Sequence, residues 1–294
     1  MPPGTHARLH LPSAALAGCM HLAVERDTRG LQLTDAQRFN FYPASPLPTI
    51  SWIFEGEVRM VDDRGPPHAP ALGDPLPRVV FSGPYRRPVA SWSPGPVHAL
   101  TVGFYPEALS RLWGIRIEEH LDTILPLCCV LSGAGLETLL GVDAAAASPP
   151  LQQVAAALEP LWAEAKVNAG GKDLRSWLRS VALRAAFTKT GAGVRQVQRR
   201  IRDWTGQSQR ELQRFARAEE AFALSANGWV DAQGLAVVAA QAGYSDQSHL
   251  GREIRRMTGL SPARLAERVK CDESFWMYRL LGEHLLDESI HLPG

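Results

Sequence analysis

The chain has 294 residues, 31 Lys and Arg against 30 Asp and Glu, and an apolar share of 45%. That length predicts two domains, and the apolar share is ample for two cores. There is no run of about eighteen apolar residues, so no membrane-spanning helix is expected. The first residues lack a basic region followed by an apolar stretch, so a cytoplasmic protein with no leader and no membrane partner is expected.

The four cysteines, Cys19, Cys128, Cys129 and Cys271, show no zinc-like spacing, and the vicinal pair cannot readily bridge without strain. Reduced, inert thiols are the main expectation and a redox sensor the minor one.

Residues 1–125 carry short alternating apolar runs punctuated by proline and glycine: Pro48 to Met60, Pro77 to Gly83, Pro88 to Trp92 and Val97 to Phe104. This pattern predicts an antiparallel β-domain. Trp52, Phe54, Phe81, Trp92 and Phe104 are its candidate pocket-lining residues, with plain core as the favoured alternative for most of them. His68, His98 and His120 stand alone, without a His-x-His pair, so neither a metal nor another cofactor is expected. After Phe104 the period becomes helical, with Leu109, Leu112 and Trp113 preceding Gly114.

Residues 141–171 read as a connector. Ala144 to Pro150 is rich in alanine, serine and proline and predicts a flexible stretch. Leu151, Val154, Leu158, Leu161 and Ala165 then recur at helical spacing, with Pro160 expected to bend or split the helix. On its own spacing this helix is expected to pack on the chain's β-domain. Gly170-Gly171 marks the boundary with the next domain.

From residue 172 the chain is helical and basic. Val194, Val197, Ile201 and Trp204 form a buried stripe, Arg195, Gln198, Arg199 and Arg202 occupy the opposite face, and Gly206 ends the helix. Ser208 to Ala226 predicts one long helix, with Leu212, Phe215, Ala218 and Phe222 as its apolar stripe. Its Arg210, Arg214 and Arg217 lie along a second face, which a plain solvated role would also explain. Leu235 to Ala242 predicts a short apolar helix. Gly243 turns the chain, Ser245 is the expected N-cap, and Asp246 suits the positive helix end. In the next helix Leu250, Ile254 and Met257 share one face. Ser248, Arg252 and Arg255 form the other, flanked by Gln247 and His249, and Gly259 stops the helix. The two helices with arginine faces both end in Thr-Gly, at 205–206 and 258–259, as an internal repeat would.

Helix, tight glycine turn and second helix make a helix-turn-helix. The segment Val238-Ala239, Ala242-Gly243-Tyr244-Ser245-Asp246-Gln247-Ser248-His249-Leu250, Arg252 and Gly259-Leu260-Ser261-Pro262 closely resembles the second helix-turn-helix of AraC-family transcription regulators. The resemblance implies two such units joined by a long helix, over residues 172–294. The first departs from the family pattern. Where an Ala-x-x-x-Gly turn is expected, Arg184 to Gly193 holds two glycines and no clean positioning helix. Val102 to Leu109 with Leu112 to Ile115, and the ending Phe275 to Leu280, resemble a subgroup with a cupin-like β-barrel sensor, here over residues 1–140. For the connector helix the resemblance implies, as the alternative, pairing with a second copy.

By resemblance, Arg195, Gln198 and Arg199 in the first unit and Ser248, His249 and Arg252 in the second read bases. Arg202, Gln247 and Arg255 complete the DNA-binding face. Residues 171–270 hold eighteen Lys and Arg against nine Asp and Glu, a surplus of nine positive charges flanked by acidic segments. Such a module suits phosphate binding through counterion release. The fold class expected is α+β, an antiparallel barrel followed by an all-α domain with two helix-turn-helix units. The expected function is a sequence-specific DNA-binding regulator, an activator, reading two adjacent major grooves about 34 Å apart under control of a small molecule. Double-stranded DNA, an effector, RNA polymerase and a second copy are its expected partners. The alternatives are a ligand-sensing barrel whose DNA binding is weak or effector-dependent and, least favoured, an enzyme, for which no nucleophile and base come together.

Overall fold

A computed structural model describes residues 6–62, 71–165, 174–187, 193–225 and 232–290. His68, Gly170-Gly171, Ala226 and residues 188–192, where a turn is expected, lie outside them.

Ten strands precede most of the helices. They are β1 (Ala7–His10), β2 (Met20–Asp27), β3 (Phe39–Tyr42), β4 (Thr49–Glu55), β5 (Arg59–Asp62), β6 (Ala71–Pro75), β7 (Val79–Ser82), β8 (Val89–Trp92), β9 (His98–Phe104) and, after helix α1 (Pro106–Trp113), β10 (Ile124–Pro126). They form two antiparallel sheets, one of six strands in the order β1-β2-β9-β4-β7-β10 and one of four in the order β3-β8-β5-β6. Register is fixed by pairs such as Val24↔Thr101, Ser51↔Thr101 and Trp52↔Val79.

Strand alternation gives the larger sheet two different faces. Ile50, Trp52, Phe81, Val102 and Phe104 are fully or almost fully buried in the largest core cluster. Thr49, Ser51, Ile53, Ala99, Thr101 and Gly103 face a cavity lined also by strands of the smaller sheet. Helices α1, α2 (Gly133–Leu140) and α3 (Pro150–Ala165) contribute to the core on the first face. Gly114 ends α1 in the left-handed conformation at φ +69°, as a C′ glycine does. Pro160 sits within one assigned helix. The Ala144–Pro150 stretch is tied to α3, because the Gln153 amide donates to Asp143 O at 2.6 Å and Ser148 O at 2.7 Å.

The remaining helices are α4 (Leu174–Phe187), α5 (Val194–Thr205), α6 (Gln209–Ser225), α7 (Ala232–Gln241), α8 (Gln247–Thr258), α9 (Pro262–Cys271) and α10 (Trp276–Ile290). The core does not stop at the expected boundary. Trp177 of α4 stacks on Tyr105 with ring centres 5.4 Å apart, and its indole donates to both Glu107 carboxylate oxygens at 2.9 Å. One hydrophobic cluster therefore runs from Leu16 to Met257, across both sequence-predicted domains. No helix among the described residues is long and apolar enough to cross a membrane.

Candidate nucleic-acid interface and cavity

Helix α5 is built as its spacing predicts. Ile201 is fully buried, Val197 and Trp204 pack against the same cluster, and Gly206 closes the helix at φ +73°. Val194, expected in the buried stripe, is instead 72% exposed; it is the first helical residue, at the tip of the helix. Arg200 donates to Ala185 O of α4 at 2.8 Å and the Arg184 guanidinium lies 6.0 Å from the Trp204 ring, so α5 is seated on α4. Arg195, Gln198, Arg199 and Arg202 are exposed on the outer side.

Helix α8 repeats the plan. Gly243, at φ +75°, turns the chain after α7, and the Tyr244 amide reaches back to Ala239 O at 2.8 Å. The N-cap is Asp246 rather than Ser245. Its carboxylate accepts the His249 amide at 2.7 Å, while the Ser245 hydroxyl donates to Asp246 at 3.1 Å. The His249 amide and the Ser245 hydroxyl hold the Asp246 carboxyl below the usual carboxylate range. Leu250, Ile254 and Met257 are buried, whereas Gln247, Ser248, Arg252 and Arg255 are exposed and His249 is half-buried against Tyr244. Among the described residues, no hydrogen bond or close ion pair engages Arg195, Gln198, Arg199, Arg202, Arg252 or Arg255.

The repeat extends to hydrogen-bond detail. Thr205 Oγ1 donates to Ile201 O at 2.6 Å and accepts from the Gln207 amide at 3.2 Å. Thr258 Oγ1 donates to Ile254 O at 2.8 Å and accepts from the Leu260 amide at 3.2 Å. Ser208 and Ser261 follow at the same step, the full match being Thr-Gly-x-Ser.

Two of the three linker-helix arginines brace the second unit. Arg214 Nε donates to Glu253 of α8 at 2.9 Å, and the Arg217 guanidinium lies 5.5 Å from the Tyr244 ring; Arg210 is exposed. Glu253, almost fully buried, also pairs with Arg256 at 3.5 Å. The sequence reading missed Glu253, whose position on the apolar side of an arginine-rich helix is the signal that could have found it.

The cavity between the sheets has a volume of about 360 Å³. Small polar side chains line part of it: Ser51 and Thr101, hydrogen-bonded to each other at 2.9 Å, with Ser91 and Asn40. It is lined also by Phe215, Ala218 and Phe222 of α6, Met257 of α8, and Trp276 and Met277 of α10. Arg26 of β2 is 6% exposed, lies over the Trp276 ring at 4.8 Å and donates through Nη2 to Glu273 at 2.7 Å. Arg26 and Tyr278 are both among the residues lining this cavity, and Arg26 Nε and Nη1 and the Tyr278 hydroxyl are buried without a hydrogen-bond partner.

None of the five candidate pocket-lining aromatic residues lines this cavity, and core is the favoured reading for most of them. Trp52, Phe81 and Phe104 are buried on the opposite sheet face, the Trp52 indole donating to Leu139 O at 2.7 Å. Phe54 sits 5.1 Å from the His98 ring, and Trp92 donates to Asp35 O at 3.4 Å. The period of two is the cause: Ile50, Trp52 and Phe54 point away from the side that Thr49, Ser51 and Ile53 present to the cavity.

Among the described residues there is no cluster of three or more His, Cys, Asp or Glu able to hold a metal ion. His98 is instead paired with Glu25 at 2.9 Å. Cys19 is buried, which pushes its thiol up to about 12, while Cys128, Cys129 and Cys271 are exposed and free.

Residues 187–268 match a family model described as a helix-turn-helix domain. No curated protein matches the chain. The similar solved structures include three of ToxT from Vibrio cholerae. One is 11% identical with TM-score 0.38, covering 78% of this chain and 94% of that one. An apo form of a ToxT point variant is 13% identical with TM-score 0.39, covering 84% and 96%. Wild-type ToxT bound to an unsaturated fatty acid is 11% identical with TM-score 0.35, covering 77% and 93%.

Proposed function

We propose that this chain, which carries an AraC-type helix-turn-helix domain at residues 187–268, is a sequence-specific DNA-binding transcription regulator controlled by a small molecule in its β-domain. The observation that carries the reading is the sorting of arginines on α5 and α8. Arg200 and Arg256 are used inside the protein, while Arg195, Arg199, Arg202, Arg252 and Arg255 stand exposed and unpaired among the described residues. Unpaired guanidiniums on two helices of the same build suit phosphate contacts and bidentate reading of guanine edges. In this reading Arg195, Gln198, Arg199, Ser248, His249 and Arg252 face bases. Arg202, Gln247 and Arg255 support them.

The effector site is the cavity, whose mostly apolar wall and few polar groups fit a small ligand. Arg26 and Tyr278 supply hydrogen-bond donors with unmet capacity. A molecule with an apolar body and an acceptor group would satisfy them. RNA polymerase, through which a regulator bound at a promoter acts, and a second copy of the chain belong to this reading as partners.

The first test is salt dependence. The affinity of the full chain for a labelled random duplex is expected to fall linearly with salt on logarithmic axes, with a shallower slope, by about one unit, for Arg202→Ala. Undetectable binding at low salt, or a flat salt dependence, would remove the reading.

A further inference from the structure

We propose that the proline-rich segment at residues 43–48, between β3 and β4, is the ruler that sets the distance between the two reading helices, and hence the half-site spacing the protein accepts. The inference rests on the reading of α5 and α8 as DNA-reading helices.

Both helices end on this segment. At the end of α5, Gln207 is 1% exposed and its side-chain amide donates to Pro46 O at 3.0 Å. At the end of α8, the Met257 carbonyl, one of the four that a helix leaves without an internal partner, accepts from the Ala44 amide at 2.8 Å. Ala44 and Pro46 are two residues apart, so the attachment points lie within about 7 Å along the chain.

The segment is stiff. Pro43, Pro46 and Pro48 each fix a backbone angle. Ser45 exchanges two backbone hydrogen bonds with Tyr85, both 2.9 Å, which ties the segment to the turn after β7. Gly206 closes against the same domain: a Cβ there would lie 3.1 Å from Glu118 N. Gly259 would meet Pro88 at 3.6 Å.

Gln207 is where the repeat is broken for a reason. Its counterpart after α8 is Leu260, an apolar residue. A buried primary amide costs desolvation unless it is used, and its donor here is used only by the β-domain. Residues 43–47 also line the cavity, so the ruler forms part of its wall.

The test uses the full chain and a duplex carrying both half-sites, with the spacer shortened or lengthened by one and two base pairs. Gln207→Met keeps the packing and removes the amide; Pro46→Gly loosens the segment and serves if the first variant does not fold. Wild type is expected to prefer one spacing, and both variants to lose about tenfold of that preference. Their affinity for a duplex with one half-site scrambled should stay within about twofold of wild type. Folded variants that keep the wild-type spacing preference overturn the ruler. Wild type that reads neither half-site overturns the DNA-reading assignment instead, so the two failures are distinguishable.

Discussion

Thr205 and Thr258 do the same work in two places, each capping back onto its own helix and accepting from the residue after the glycine. The sequence shows the Thr-Gly pairs, but only the hydrogen bonds show why they recur: a hydroxyl is needed where the helix ends and the chain reverses. Asp246 is the counterpart at the start of α8. Asp246→Ala is expected to lower the urea midpoint of the full chain and Asp246→Asn to lower it by much less; equal losses would contradict the capping role. That Ser245 and not Asp246 looked like the cap in sequence is a one-residue error between two good capping residues, which only backbone geometry separates. The half-burial of His249 against Tyr244 was not legible in the sequence.

At the scale of elements, helix α8 is held by charge as well as by apolar packing. Burial pushes the Glu253 carboxyl up, but the hydrogen bond from Arg214 and the positive charges of Arg256 and Arg214 outweigh it, leaving its pKa below the usual carboxylate value. A carboxyl with a lowered folded-state pKa stabilises the fold above its unfolded value of about 4.3, and that contribution is lost as pH falls through the folded value. Glu253→Gln is therefore expected to cost about 1–3 kcal/mol at neutral pH, and less in acid. Melting curves at pH 7 and pH 3 check this, and a penalty that grows on acidification would contradict it. Periodicity made β4, β7, β8 and β9 legible, because their apolar runs sit between prolines and glycines. β2 was not legible: Glu25 and Arg26 interrupt its pattern, and the partner that makes a buried Arg26 tolerable is Glu273, 247 residues away. The cavity was not legible for a related reason. The part of its wall formed by the larger sheet carries serines, threonines and small apolar residues, which look unremarkable in sequence, while Trp52, Phe81 and Phe104 belong to the other face.

For the whole molecule, length predicted two domains, yet the core crosses the boundary through Tyr105, Glu107 and Trp177. A shared core predicts a single cooperative unfolding transition. Trp177→Ala should lower stability by about 3–5 kcal/mol and separate the loss of helical signal from that of the β-domain. Two resolved transitions already in the wild type would contradict the shared core. Charge, by contrast, was legible from composition once the chain was divided, because the basic surplus is confined to the helical half.

The central claim is that α5 and α8 each read a stretch of duplex. The direct measurement is selection of bound duplexes from a random pool at near-physiological salt, run in parallel for wild type, Arg199→Ala and Arg252→Ala. Two enriched blocks about one helical turn apart are expected, with each variant relaxing one block at a cost of about 1–3 kcal/mol. An enriched motif that neither variant alters, or one weakened uniformly by both, would contradict the claim.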